Sequence, residues 1–327
     1  MPVFAQPMKP SRKWSAAALA SIAAGVALTG CFPPPPGDAP LRYRDDLPGV
    51  AVQKTGDIVY STSQDGTANQ LLLDVYRPTP DTNARRPLVL IVHGGSFRTG
   101  SKDNPAMVAL AQAYAKRGFV TASINYRLLQ QAGEGCDDVG QSCATAALAA
   151  QHDAQAAIRY LRANASTYGI DPTRVAIQGG SAGGGTAILV AINSEDPGNS
   201  GTPAQDSSVG AAMPISGGMS PSARALITPL LDDDDAPVLL FYGNQDPGQP
   251  VDYPLDTAAL INEKGNVAYT QELNGGHVPG DPGSRGIEID QSSYFMWYAL
   301  DLAHAGSPPD SVAQAAKRLQ RVGSATR

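Results

Sequence analysis

A Gly-x-Ser-x-Gly string, Gly179-Gly180-Ser181-Ala182-Gly183, lies between an apolar run at Arg174 to Gln178 and a helical pattern that opens at Ala182. A strand that turns directly into a helix needs neighbours without bulky side chains, and such a turn lifts the serine hydroxyl above the sheet edge. The same turn sets the Ala182 amide at a helix N-terminus, where it can donate to a negatively charged oxygen. A Gly-rich turn carrying an incidental serine is the plainer alternative. A second string, Ile91-Val92-His93-Gly94-Gly95-Ser96-Phe97, weighs against it, because a His-Gly-Gly turn after an apolar strand brings further backbone N–H groups toward the serine. His93 itself reads as a hydrogen-bonded core histidine that holds the loop. Together these pieces fit nucleophilic attack by a serine, with N–H groups holding the charge that develops on oxygen.

A serine hydroxyl is a poor nucleophile without a base, and the base needs a carboxylate to orient it. The chain has 4 histidines. His93 precedes the Gly-rich turn, His152 lies in a helical run and His304 ends the last helical pattern. His277 sits in the loop Asn274-Gly275-Gly276-His277, directly after the last strand-like run, and fits a serine, acid, histidine chain order. A surface-loop histidine is its bland alternative. The acid is expected after the preceding strand, where Val238 to Tyr242 leads into Gly243-Asn244-Gln245-Asp246-Pro247. Asp246 is the first carboxylate there, with Asp252 and Asp256 as weaker rivals. Asp232 to Asp235 lie before that strand and read as a solvated acidic turn, since successive side chains converge poorly on one ion.

The elements that must hold these residues alternate between two periods. Ile58 to Thr62 and Gln70 to Tyr76 read as an antiparallel opening pair. Pro87 to Val92, Phe119 to Asn125, Arg174 to Gln178, Val209 to Ile215, Val238 to Tyr242 and Val267 to Leu273 follow as apolar, β-rich runs. Helical patterns lie between them at about Pro105 to Arg117, Thr145 to Ala165, Ala182 to Asn193, Pro254 to Lys264 and Ile289 to His304. Near-continuous apolar strands separated by helices argue a mostly parallel sheet covered on both faces. The stretch between Ile215 and Val238, where such a fold often inserts a cap, is short and rich in small residues, so little or no cap is expected.

At 327 residues, with 42% hydrophobic and 17% charged residues, the chain can bury a large core and lacks the signature of disorder. A net charge of −6 with no basic stripe disfavours nucleic acid as a partner. The N-terminus reads as a targeting segment: Lys9, Arg12 and Lys13 precede a short apolar stretch from Trp14 to Ala27, which ends in Leu28-Thr29-Gly30-Cys31. That tetrapeptide resembles the lipobox of bacterial lipoproteins, cleaved before a cysteine that is then acylated. An ordinary secretory signal or a membrane anchor is the alternative, the anchor weakened by the shortness of the run. The expected organisation is a signal over residues 1–30 and a lipidated Cys31 with a Pro-rich spacer over 31–49. A catalytic domain is expected over 50–306 and a tail over 307–327 that is either frayed or a short amphipathic helix. The protein is then exported and held by lipid at an outer membrane, cell surface or periplasmic face. Export permits a disulfide, and Cys136 and Cys143 read as a bridge closing a Gly-rich loop; a metal site is the rival, without a second ligand pair.

The ensemble resembles the α/β-hydrolase fold, and within it the bacterial carboxylesterases related to hormone-sensitive lipase and the small acetyl-xylan and feruloyl esterases. The likeness rests on Leu73-Asp74-Val75-Tyr76-Arg77-Pro78, His93 to Phe97, Asn125-Tyr126-Arg127-Leu128, Tyr168-Gly169-Ile170-Asp171-Pro172 and the Ser181 turn, followed by the Asp246 loop and His277. It covers about Val50 to Ala305. The resemblance implies a mostly parallel, eight-stranded sheet flanked by helices. It implies Ser181 as nucleophile, His277 as base and then acid, and Asp246 as its orienter. Gly95, Ser96 and Ala182 become the oxyanion donors, with Gly94 shaping the turn. Ser96 replaces the family's usual glycine, yet any residue but proline still offers an N–H. Asp153 reads as structural. No metal or organic cofactor is implied, and the expected substrate is a small-molecule or polymer-borne ester. Peptidases, thioesterases and polyester depolymerases share the fold, and a non-catalytic binding module ranks below them because no triad member is missing.

Overall fold

The computed structural model describes residues 28–29, 31–38, 41–62, 70–129, 141–194, 196–198, 200–201, 205–305, 307 and 311–324. Residues 1–27, where the targeting segment is expected, Gly30 and Cys136 lie outside the described residues. The strands are β1 (Leu28–Thr29), β2 (Ala51–Thr62), β3 (Gln70–Thr79), β4 (Arg86–Val92), β5 (Val120–Ile124), β6 (Ile170–Gly180), β7 (Ala211–Ile215), β8 (Val238–Gly243) and β9 (Ala268–Leu273). The helices are α1 (Pro105–Lys116), α2 (Gln141–Ala163), α3 (Ala165–Tyr168), α4 (Ala182–Ile192), α5 (Pro221–Ile227), α6 (Asp252–Glu263), α7 (Pro282–Ala299) and α8 (Val312–Ser324). They build one sheet in the order β1-β9-β8-β7-β6-β4-β5-β3-β2. β2 with β3 and β3 with β5 are antiparallel and every other neighbouring pair is parallel.

The central strands are apolar on both faces because both faces are covered. Along β4, Leu88, Leu90 and Val92 enter the core beneath α2, α4 and α6, whereas Val89 and Ile91 enter the opposite core beneath α1, α7 and α8. That alternation is the two-residue period of a strand. α1 shows the matching helical period: Met107, Leu110, Ala111, Tyr114 and Ala115 are its buried stripe. Asn104 caps it by accepting from the N–H groups of Ala106 at 3.0 Å and Met107 at 3.4 Å, and Pro105 occupies the first turn, where no N–H is needed.

The eight principal strands fall where the hydrophobic runs predict them, and the two-residue β1 adds a ninth at the β9 edge. Other expectations are corrected. The segment after Cys31 is no free spacer, since Phe32 is 1% exposed and Arg44 donates to the carbonyls of Pro35 at 2.8 Å and Gly37 at 3.0 Å. Of the two alternatives for the tail, the amphipathic helix forms: α8 buries Ala315 and Leu319 against the body. α7 begins at Pro282, earlier than its apolar pattern, because Asp281 caps it by accepting from Gly283 and Ser284. The acidic turn is only partly solvated, as Asp235 is buried and accepts from the Asn266 side chain at 3.0 Å. Between β7 and β8 the chain forms only α5 and the 3-10 turn Thr228–Leu230, which leaves no large cap. Among the described residues no helix is long and apolar enough to cross a membrane.

Candidate active site

Ser181 stands where β6 becomes α4, with φ 54° and ψ −118°. A non-glycine residue is strained there by about 1–3 kcal/mol, and such strain persists only when the surroundings fix it. They do. A Cβ on Gly179 would fall 2.3 Å from the Gly183 carbonyl oxygen, and one on Gly183 would fall 2.2 Å from that of Val92. The glycines therefore let the turn close on itself and against β4. The Ser181 N–H donates to the Ile215 carbonyl at 2.8 Å, fastening the turn to β7.

Two loops bring a histidine and an aspartate to that serine. His277, after β9, places Nε2 2.8 Å from Ser181 Oγ and Nδ1 2.7 Å from Asp246 Oδ2. An ionised carboxylate can only accept, so Nδ1 carries the proton and Nε2 is left to accept from the serine hydroxyl. Asp246 follows β8, and its other oxygen accepts from the N–H groups of Gly248 at 2.8 Å and Gln249 at 3.0 Å. Its side chain is 2% exposed while that of His277 is 39% exposed, so the carboxylate is shielded and the imidazole is open to an incoming molecule. The Gln245 N–H donates to the Gly275 carbonyl at 2.8 Å, and the Gly275 N–H to Asn244 Oδ1 at 3.1 Å, which sets the two loops against each other.

The His93 to Phe97 turn closes over the serine from β4. A Cβ on Gly94 would lie 2.8 Å from the Gly180 carbonyl oxygen and 3.1 Å from Ser181 Cβ, so only glycine lets the turn approach this closely. Gly95, Ser96 and Phe97 all have positive φ. Among the described residues, the N–H groups of Gly95, Ser96 and Ala182 have no hydrogen-bond acceptor within the protein. His93 is the structural residue expected. Its ring stacks on Tyr126 at 4.3 Å, its Nδ1 lies 2.7 Å from the Gly94 carbonyl, and the Tyr126 hydroxyl donates to the His93 carbonyl at 3.0 Å. Burial holds its pKa below the ordinary histidine value.

The rival residues lie elsewhere, three of them in ion pairs. Asp256 pairs with Arg224 at 2.8 Å, His152 with Asp196 at 3.0 Å and His304 with Asp301 at 2.9 Å, while Asp252 sits in the first turn of α6. Asp153 is fully buried and holds Arg127 at 3.0 Å. Two positioning residues carry no sequence signal. Ser216 accepts the Val278 N–H at 3.0 Å and so fixes the backbone beside His277. The Gln249 side chain bridges both polar groups of Gly218, at 2.8 and 3.2 Å, and so steadies the turn around Asp246. Cys31 is exposed and is the free cysteine among the described residues; Cys143 is buried on the first turn of α2. Among the described residues no cluster of His, Cys, Asp or Glu is arranged to hold a metal ion.

A mostly parallel sheet with a serine turn at the end of its central β6, an aspartate after β8 and a histidine after β9, is the α/β-hydrolase fold. The comparisons with known proteins agree. A family model described as BD-FAE matches residues 73–211. The probable carboxylic ester hydrolase LipM of Mycobacterium tuberculosis is 32% identical over 164 residues, which is 50% of this chain and 34% of that protein. The chain thus spans about a third of the length of LipM and of the esterase LipQ of the same organism. Among solved structures, Thermogutta terrifontis esterase 2 phosphorylated by paraoxon superposes with a TM-score of 0.59 at 22% identity, covering 79% of this chain and 96% of that one. A truncated carbohydrate esterase from gut microbiota gives 0.55 at 19% identity, covering 74% and 96%.

Proposed function

We propose that the protein is a serine carboxylic ester hydrolase. The observation that carries this reading is the hydrogen-bonded chain from Ser181 through His277 to Asp246, set beside the three unpartnered N–H groups of Gly95, Ser96 and Ala182. In the first step Ser181 Oγ attacks the ester carbonyl carbon while His277 Nε2 takes the hydroxyl proton. The N–H groups hold the oxyanion, the C–O bond to the alcohol breaks, and His277 returns the proton to the departing alkoxide. In the second step water attacks the acyl-enzyme, giving its proton to His277, and the acid leaves as Ser181 regains a hydrogen. Asp246 keeps the imidazole in the working tautomer and stabilises its charged form. No step calls for a metal or organic cofactor.

The substrate expected is a short-chain or polymer-attached ester. The small segment between β7 and β8 and the exposure of His277 support an open site, and the relatives named as ester hydrolase and carbohydrate esterase support the bond class. The test is the initial hydrolysis rate of p-nitrophenyl esters of increasing acyl length, with the full chain and its Ser181→Ala variant side by side. Fast turnover of short esters that vanishes in the variant supports the reading. Turnover that persists in the variant, or rates that climb with chain length, overturns it.

Beyond the catalytic domain the reading includes export, cleavage before Cys31, acylation of Cys31 and attachment of the domain to a bacterial membrane. The exposure of Cys31 is compatible with acylation, and the cleavage would remove β1 from the β9 edge. A Cys136–Cys143 bridge belongs to the same exported state. Mass analysis of the N-terminal peptide and of the alkylated chain before and after reduction tests both modifications.

A further inference from the structure

Cys31 is exposed, yet the residue after it is almost wholly buried. The Phe32 ring stands edge-on to Tyr269 of β9 with centroids 5.0 Å apart, and lies 5.3 Å from Phe295 of α7. Its N–H donates to Gln291 at 2.7 Å. Cys31 is therefore held at a fixed point on the sheet face covered by α1, α7 and α8. α8 closes on the same spot: Leu319 shares the cluster of Phe32 and Tyr269, and a Cβ on Gly323 would fall 2.9 Å from the Tyr269 ring. Tyr298 of α7 joins the two segments, its hydroxyl donating to the Pro33 carbonyl at 3.3 Å and its carbonyl accepting from Arg318 at 2.5 Å.

What α8 presents beside Cys31 is cationic. From Ser311 to the C-terminus the sequence contains Lys317, Arg318, Arg321 and Arg327 and no acidic residue, in a chain whose net charge is −6. Lys317 and Arg321 are exposed and one helical turn apart, opposite the buried Ala315 and Leu319. Asp301, which meets Arg318 at 3.4 Å, is itself buried and turns little negative charge outward. Trp297, half-buried on α7 next to Tyr298, adds a ring of the amphipathic kind that settles at headgroup level.

Resting on the reading of Cys31 as the acylated residue, we infer that this face is a membrane-contact surface and that its partner is the anionic headgroup layer of the bilayer. Acyl chains supply the anchor, and the α8 cations add charge complementarity, each by about fivefold in partition near an anionic surface. The domain then lies against the membrane in one orientation instead of swinging on a Pro-rich spacer.

The test uses the only tryptophan left after cleavage, because Trp14 lies in the leader and Trp297, partly buried, packs against the same cluster as Phe32 and Leu319. The full chain is produced in a lipoprotein-processing bacterium and reconstituted into vesicles of bromine-labelled phosphatidylcholine, with or without phosphatidylglycerol. Trp297 emission is expected to be quenched more strongly on the anionic vesicles. The excess is expected to disappear in the Lys317→Gln, Arg321→Gln double variant and at high salt. Unquenched Trp297, or quenching that the double variant leaves unchanged, overturns the inference. Mass analysis of the Cys31 peptide reads the acylation separately. If Cys31 carries no lipid, the anchor reading fails. The same chain, with Trp14→Phe where the leader persists, is then coupled through Cys31 to maleimide-bearing vesicles, where the same two quenching results decide the face.

Discussion

At Asp246 a single carboxylate oxygen is given to His277 while the other is held by two backbone N–H groups, so the side chain has one available orientation. Asp246→Asn keeps the shape but can offer Nδ1 a donor, which favours the wrong imidazole tautomer. A loss of about four orders of magnitude in kcat is expected, with KM for a short p-nitrophenyl ester nearly unchanged. Ser96 makes the complementary case. If its backbone N–H and not its hydroxyl serves the oxyanion, Ser96→Ala leaves kcat within about threefold, whereas loss of one oxyanion donor costs about 3–4 kcal/mol. Steady-state kinetics on the two variants separates these roles. Ser181, Asp246 and His277 were legible because each stands in a Gly-rich loop directly after a strand-like run, in a fixed chain order. Ser216 and Gln249 were not. Their partners, Val278 and Gly218, lie 62 and 31 residues away, and nothing in the local sequence marks a contact that only the sheet order creates.

Among the elements, the β6–α4 turn is the most tightly specified. Gly183→Ala drives a Cβ into the Val92 carbonyl region, where backbone cannot yield, and must push α4 from β4. Destabilisation of more than about 2 kcal/mol is expected, together with loss of esterase activity, both readable by urea unfolding and a rate assay on one preparation. α7 carries a different cost. Burial pushes the Glu288 carboxyl up from its ordinary 4.5 to about 8, and Arg285, 2.7 Å away, opposes the shift without cancelling it. The folded protein thus holds this proton more tightly than the unfolded chain. Glu288 therefore favours folding most below its ordinary 4.5, and that contribution declines as pH rises toward 8, beyond which it changes no further. Glu288→Gln is expected to flatten the fall in urea midpoint across that window, since the amide can still accept from Gln178. The strands from β3 to β9 and the helices from α1 to α6 were readable to within a few residues, α3 and α5 excepted, from period and Gly/Pro punctuation, whereas β1 was not read and β2 begins at Ala51, well before the expected Ile58. The start of α7 was not, because Asp281 and Pro282 set it while the apolar pattern begins later.

For the molecule as a whole, the sequence misleads at the N-terminal end and leaves the C-terminal end open for one physical reason: composition reports what a segment can do alone, and packing decides what it does. The Pro33 to Pro36 run has the composition of an extended spacer, yet the single aromatic before it finds a place between Tyr269 and Phe295 and commits the segment to the body. α8 likewise has a long polar face, and Leu319 alone reaches full burial on it, with Ala315 and Gly323 fitting closely beside. These two ends share one cluster with β9 and α7, so they are expected to unfold with the domain and not before it. Phe32→Ala tests this. If residues 31–38 were a detached spacer, the substitution would leave the thermal midpoint of the full chain untouched. As part of the core, Phe32 is worth about 3 kcal/mol on truncation, which lowers the midpoint by several degrees in a single cooperative transition. Proteolysis at the N-terminal segment should rise in parallel, while kcat on a short ester stays constant in the folded protein, because Phe32 itself packs on Tyr269 and Phe295 and bonds Gln291, none of which hydrogen-bonds Ser181, His277 or Asp246.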